Sequence, residues 1–90
     1  MPDTKRWAVE VVIDEDAETR RTRAKATLHT DGADIAGKGE SKRDPNDAEQ
    51  PTIGDQIAVA RSLLDLAQTL LKSAEAEITA ITHQPAHVHR

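Results

Sequence analysis

Cysteine, phenylalanine and tyrosine are missing from these 90 residues, and Trp7 is the single aromatic. The lack of thiols excludes disulfides, thiolate nucleophiles and cysteine-ligated zinc, and fits a reducing compartment. The lack of aromatic platforms removes the usual means of binding single-stranded nucleic acid by base stacking. It also leaves Leu, Ile, Val and Ala to build the interior. No window approaches the roughly 18 apolar residues of a membrane-spanning helix. The start, Met1-Pro2-Asp3-Thr4-Lys5-Arg6, leads into no apolar run of signal-peptide length. The expectation is a cytoplasmic protein with no membrane segment. A chain of this length makes one domain with a small core, which a partner would help to stabilise.

The formal charge of -4 is unevenly spread. Arg20, Arg21, Arg23, Lys25, Lys38, Lys42 and Arg43 form a basic middle that contains only Asp31, Asp34 and Glu40 as acids. Acidic segments flank it on both sides, from Asp3 to Glu18 and from Asp44 to Glu49. A general nucleic-acid binder raises its whole field positive to gain from counterion release, and this chain does not.

Hydropathy then sets the elements. Trp7, Val9, Val11 and Ile13 alternate with Ala8, Glu10 and Val12, the period of a half-buried strand over about 7–13. The acidic run Asp14-Glu15-Asp16-Ala17-Glu18 predicts a solvated turn. A second strand over 21–30 has Ala24, Ala26 and Leu28 on one face and Arg21, Arg23, Lys25 and His29 on the other. Asp31-Gly32 is a hairpin signal, because glycine accepts positive φ without steric cost. A third strand over 34–43 puts Ile35, Gly37 and Gly39 on the core face, where the glycines permit close backbone approach or mark a β-bulge.

Asp44-Pro45-Asn46-Asp47 opens a loop over 44–52, and Thr52 with Asp55 matches a capping box. From Ile53 to Ile81, Ile53, Ile57, Ala60, Leu64, Ala67, Leu71, Ala74 and Ile78 recur at steps of four and three. They mark one amphipathic helix, which at 1.5 Å per residue spans about 43 Å. A strand of this length covers only about 27 Å, so the helix either overhangs its sheet or breaks near Ser73. Its apolar arc is wider than one core-facing stripe. The reading places Ile57, Ala60, Leu64, Ala67 and Leu71 against the sheet, and Val59, Leu63, Leu66 and Leu70 on a partner surface. A mean step near 3.5 is the period of helix pairing, which favours a homodimer or another protein partner. The fold class is α+β: a three-stranded antiparallel meander followed by one long C-terminal helix packed on one face, with a tail at 84–90.

The blocks Thr22-Arg23-Ala24-Lys25-Ala26-Thr27-Leu28, Asp44-Pro45, Ile53-Gly54-Asp55 through Ala58, Ala60-Arg61, Leu63, Leu66-Ala67 and Thr82-His83-Gln84-Pro85 resemble a family of small actinobacterial proteins. That family is labelled domain of unknown function eighteen seventy-six. The resemblance runs from about Trp7 to Pro85 and implies a double-stranded-RNA-binding-like fold. It implies no established activity and no site residue to carry over.

Arg21, Arg23, Lys25 and Lys38 on the basic strand face are the candidate contacts to an anion or to duplex nucleic acid. A solvated sheet face explains them as well. The chain also lacks the N-terminal helix and the lysine-rich helix start of duplex RNA binders. His83, His87 and His89 are irregularly spaced with no cysteine or carboxylate to complete a metal set, and His83 suits the negative end of a helix. Ser41, Ser62 and Ser73 lack a nucleophile-elbow setting, and no glycine-rich phosphate loop occurs. Arg61 and Asp65, four apart, read as a surface pair. The expectation is a non-enzymatic module without cofactor or metal, acting through protein interaction or homo-oligomerisation on its long helix. The alternative is duplex nucleic-acid binding through the basic face.

Overall fold

The chain runs β1 (Ala8–Asp16), β2 (Arg21–His29), β3 (Asp34–Lys42) and α1 (Pro51–Thr82). The three strands form one antiparallel sheet in sequence order. The computed structural model describes residues 3–44, 51–83, Ala86 and Val88. Most of the expected loop over 44–52 and of the tail over 84–90 lies outside the described residues.

β1 is longer than its apolar alternation, because the acids expected to form a turn continue the strand. The register sets Asp14 opposite Arg23 and Asp16 opposite Arg21, so these charges have cross-strand partners of opposite sign. The turn comes afterwards. Asp16 Oδ1 accepts from the amides of Glu18 (3.0 Å) and Thr19 (3.3 Å), and Arg20 closes the turn at φ 58°. The second turn differs from the glycine-led hairpin that Asp31-Gly32 suggests, since among the described residues no glycine has positive φ. Thr30 builds it instead: its hydroxyl donates to the Ala33 carbonyl (2.7 Å) and accepts from the Ala33 amide (3.0 Å).

α1 starts at Pro51, a residue suited to a first helical position because it has no amide to leave unpaired. Thr52 therefore lies inside the first turn rather than at the cap. The helix continues without a break through Ser73 to Thr82. His83 stops it with φ 58° and an amide bond to the Thr79 carbonyl (2.8 Å). Its 32 residues make about 48 Å, against about 30 Å for a strand of nine.

The helix docks on the sheet through small residues. Ala58, Ser62 and Leu66 face Ala24, Ala26 and Leu28, with Gly37 and Gly39 beneath. A Cβ at Gly37 would land on the backbone of Ser62 and Leu66, and one at Gly39 on the backbone of Ala58 and Ser62. The glycines thus set the interlayer distance, with no bulge in the register. This corrects the face assignment. At so short a distance small side chains suit the stretch over Gly39, so Ala58 and Ser62, each at 0% exposure, occupy it ahead of Leu66, while Ile57 at 39% and Leu64 at 64% face solvent. Ala60 and Ala67 are exposed as well. Leu66, expected on the partner surface, is 4% exposed and belongs to the core, and Leu70 packs against that core.

Candidate interaction surface

The outer face of the sheet carries Arg21, Arg23, Lys25, Lys38 and Lys42, so the structure does bring the four proposed anion contacts together. The register also brings Glu10, Asp14, Asp16, Asp34 and Glu40 to the same face. Glu40 sits 3.4 Å from Arg21 and 3.9 Å from Arg23. The face therefore mixes both signs of charge, with Glu40 shared between two arginines. Its one excess is local, where Lys25 stands directly opposite Lys38.

The inner face is unevenly covered. α1 lies over β3 and β2 and barely reaches β1. Val11 packs against the core, but its neighbours on the same face, Val9 and Ile13, remain 45% and 40% exposed. Trp7, just before β1, is half exposed, and so is Val12 on the outer face. Arg61 and Asp65 reach the outer edge of β3, so the opposite flank of the helix, at Val59, Leu63, Leu66 and Leu70, looks toward β1. Of these four, Leu66 is buried, Val59 and Leu70 are half-buried and Leu63 is 41% exposed. Leu63, Val9 and Ile13 border one uncovered apolar strip, and the β1 half of it is missing from the sequence-level site. The signal for it is the pair Gly37 and Gly39: glycines on an edge strand draw the helix toward that edge and off the other.

The two sheet edges differ in their backbone groups. Asp65 Oδ2 accepts from the Lys38 amide (2.8 Å), and Arg61 Nη1 donates to the Glu40 carbonyl (2.7 Å). Arg61 and Asp65 are therefore edge caps, not a surface pair. Since Lys38 and Glu40 point outward, backbone alternation makes Gly37 and Gly39 bond β2. It also makes Lys25 and Arg23 bond β1, and leaves Val9, Val11 and Ile13 with their amides and carbonyls directed away from β2. Among the described residues nothing bonds that edge.

A cleft of about 400 Å³ lies where the first turn meets the start of α1, lined by Glu15, Arg20, Arg21, Lys42, Ile53 and Ile57 among others. The Glu15 carboxyl sits above its ordinary range because it shares a hydrogen bond with Asp55, feels the Asp55 charge and is partly desolvated. That bond needs a proton, and with both groups ionised Asp55 Oδ1 is buried without a donor. Ser41, which also lines the cleft, donates its hydroxyl to the Gly54 carbonyl (2.9 Å) and not to a general base. Among the described residues no group of three His, Cys, Asp or Glu could hold a metal ion. His87 and His89 fall outside them. Among the described residues no helix is long and apolar enough to cross a membrane.

This arrangement of three antiparallel strands and one long helix is matched by a protein of known structure. The chain belongs to the Rv2632c-like family, whose model matches residues 5–87. It is 44% identical over 77 residues to the uncharacterized protein Rv2632c of Mycobacterium tuberculosis, covering 86% of this chain and 81% of that one. To the uncharacterized protein MT1780 of the same species it is 42% identical over 82 residues, covering 91% and 85%. The crystal structure of Rv2632c matches with a TM-score of 0.82 at 42% identity, over 93% of this chain and 98% of that one.

Proposed function

We propose that this protein is a non-catalytic interaction module that self-associates through the apolar strip along β1 and Leu63. The observation that carries this reading is the offset of α1, which leaves Val9, Ile13 and Leu63 each at 40% exposure or more on one side of the molecule. A run of such residues on one surface marks an interaction site more often than scattered ones do. The module would work in a reducing compartment such as the cytoplasm, which its cysteine-free sequence fits. Sedimentation and light scattering over a micromolar to high-micromolar series test the reading, with emission of the lone Trp7 as a second readout. Dimer formation with a blue shift of Trp7 is expected, and Leu63→Glu should weaken it about tenfold, or by some 1.4 kcal/mol. A wild type that stays monomeric throughout would refute self-association.

A second reading is duplex nucleic-acid binding on the outer face, favoured by Lys25 beside Lys38 and by the duplex-RNA-binding-like fold that the family resemblance implies. It is the weaker one, because Glu40 occupies Arg21 and Arg23. It requires an affinity for duplex RNA that falls with salt and with Lys25→Glu.

A further inference from the structure

We propose that β1 pairs antiparallel with β1 of a second copy, with Val11 opposite Val11 on the two-fold axis, so that three strands from each molecule form one continuous sheet. This rests on the self-association reading and names its geometry. β1 is nine residues long, with no proline and a regular register, and its outward backbone groups at Val9, Val11 and Ile13 have no partner among the described residues. Natural sheets blunt such an edge or pair it. The opposite edge is blunted by Asp65 and Arg61, and among the described residues β1 has no equivalent cap.

The register follows from two requirements. Because the odd-numbered residues point outward, an odd residue must face an odd one for the ladder to form. Among registers that satisfy this, centring on Glu10 sets Glu10 against Glu10, and centring on Val12 sets Glu10 against Asp14. Directly opposed like charges destabilise a strand pair. Centring on Ile13 sets Glu10 against Asp16, and centring on Val9 pairs only residues 8–10 of the strand. Centring on Val11 alone avoids opposed acids over most of β1. It places Val9 opposite the second copy's Ile13, Glu10 opposite Val12, Ala8 opposite Asp14 and Arg6 opposite Asp16. The apolar residues that α1 leaves bare then meet one another, and each terminal arginine meets an acid. A second copy satisfies the edge along its length because the strand complements itself in this register.

The cysteine-free chain permits a direct test. In a hydrogen-bonded antiparallel pair the facing Cα atoms lie about 5.5 Å apart, within disulfide reach. Under mild oxidation Val11→Cys should therefore give a covalent dimer. Val9→Cys and Ile13→Cys should not do so alone, but a mixture of the two should. Val9→Pro should lower dimer affinity at least about tenfold while leaving the circular dichroism unchanged, because the lost amide faces the edge and not β2. Glu10→Pro, which removes an amide directed at β2, supplies the contrast by impairing the fold itself. A wild type that is dimeric but cross-links through Val9→Cys alone, or is indifferent to Val9→Pro, would overturn the strand pairing and leave self-association standing. A wild type that is monomeric at high micromolar concentration would remove both.

Discussion

Along β3 the helix supplies a carboxylate to the Lys38 amide and a guanidinium to the Glu40 carbonyl, whereas along β1 the matching backbone groups face outward with no side-chain cap among the described residues. One sheet thus has a closed margin and an open one, and the cause lies in Gly37 and Gly39. Lacking side chains, they let the helix backbone settle onto β3, and whatever settles over β3 is drawn off β1. Coverage of one margin and exposure of the other are consequences of the same two residues.

The largest expected effect tests that cause. Gly37→Val should cost about 3 kcal/mol or more in urea unfolding, since its side chain meets helix backbone that has no rotamer to yield. Val9→Thr on the open margin should cost less than about 1 kcal/mol by the same measurement. Similar losses at the two positions would break the contrast. Next in size, Asp65→Ala should remove about 1 kcal/mol, an allowance reduced for solvent exposure. It should also uncap β3, so that light scattering detects species larger than a dimer. An unchanged mass distribution would mean that Asp65 does not guard that margin. Smaller again, Lys25→Thr should stabilise by about 0.5 kcal/mol by relieving the opposition to Lys38.

The smallest effect is in the pH dependence. Glu15 is raised by its hydrogen bond to Asp55 and then by the Asp55 charge, so the folded protein holds that proton more firmly than the unfolded chain. Its contribution is complete below the ordinary carboxylate range and disappears as pH rises through the raised value. Asp16 acts the other way. The Thr19 amide lowers it first, and its stabilisation is lost as pH falls through that lowered value. Glu15→Gln donates to Asp55 without needing the shared proton, so its Tm should lie slightly above that of the wild type at neutral pH and vary less through the weakly acidic range. A parallel pair of Tm curves would show that the Glu15–Asp55 contact does not couple to folding.

Element order and fold class were legible because period-two alternation in β1 and β2 and the long stepped repeat in α1 are unambiguous signals. The glycines of β3 left close approach and a β-bulge both open, and the unbroken register with the helix backbone above Gly37 and Gly39 decides for close approach. The helix face was not. Hydropathy counts Ser62 as polar, yet between glycines a small side chain suits the contact better than a large apolar one, and Ser62 hydrogen-bonds the Val59 carbonyl (2.7 Å) within its own turn. Leu66 illustrates the reverse error, an apolar residue assigned outward that lies in the core. The extension of β1 through Asp14 and Asp16 depended on arginines that become neighbours only across the turn. Arg61 and Asp65 resemble an ordinary helix pair on any wheel, and their role appears only once β3 is placed beside them. Of the candidate site, Leu63 was visible in sequence, and Val9 and Ile13 were visible only as core.

Beyond Leu70, α1 outruns strands of nine residues, and the Val88 amide donates to Glu75 Oε1 there at 3.1 Å. A stretch of about 12 residues is marginal as a helix in water on its own propensity. Protection of its amides against hydrogen exchange should therefore decline steadily from Ser62 toward Thr82, with unwinding starting at the far tip. The same gradient makes Ile78 and Ile81 a built-in sensor, since any molecule that settles on this arm would slow exchange there more than anywhere else in the chain.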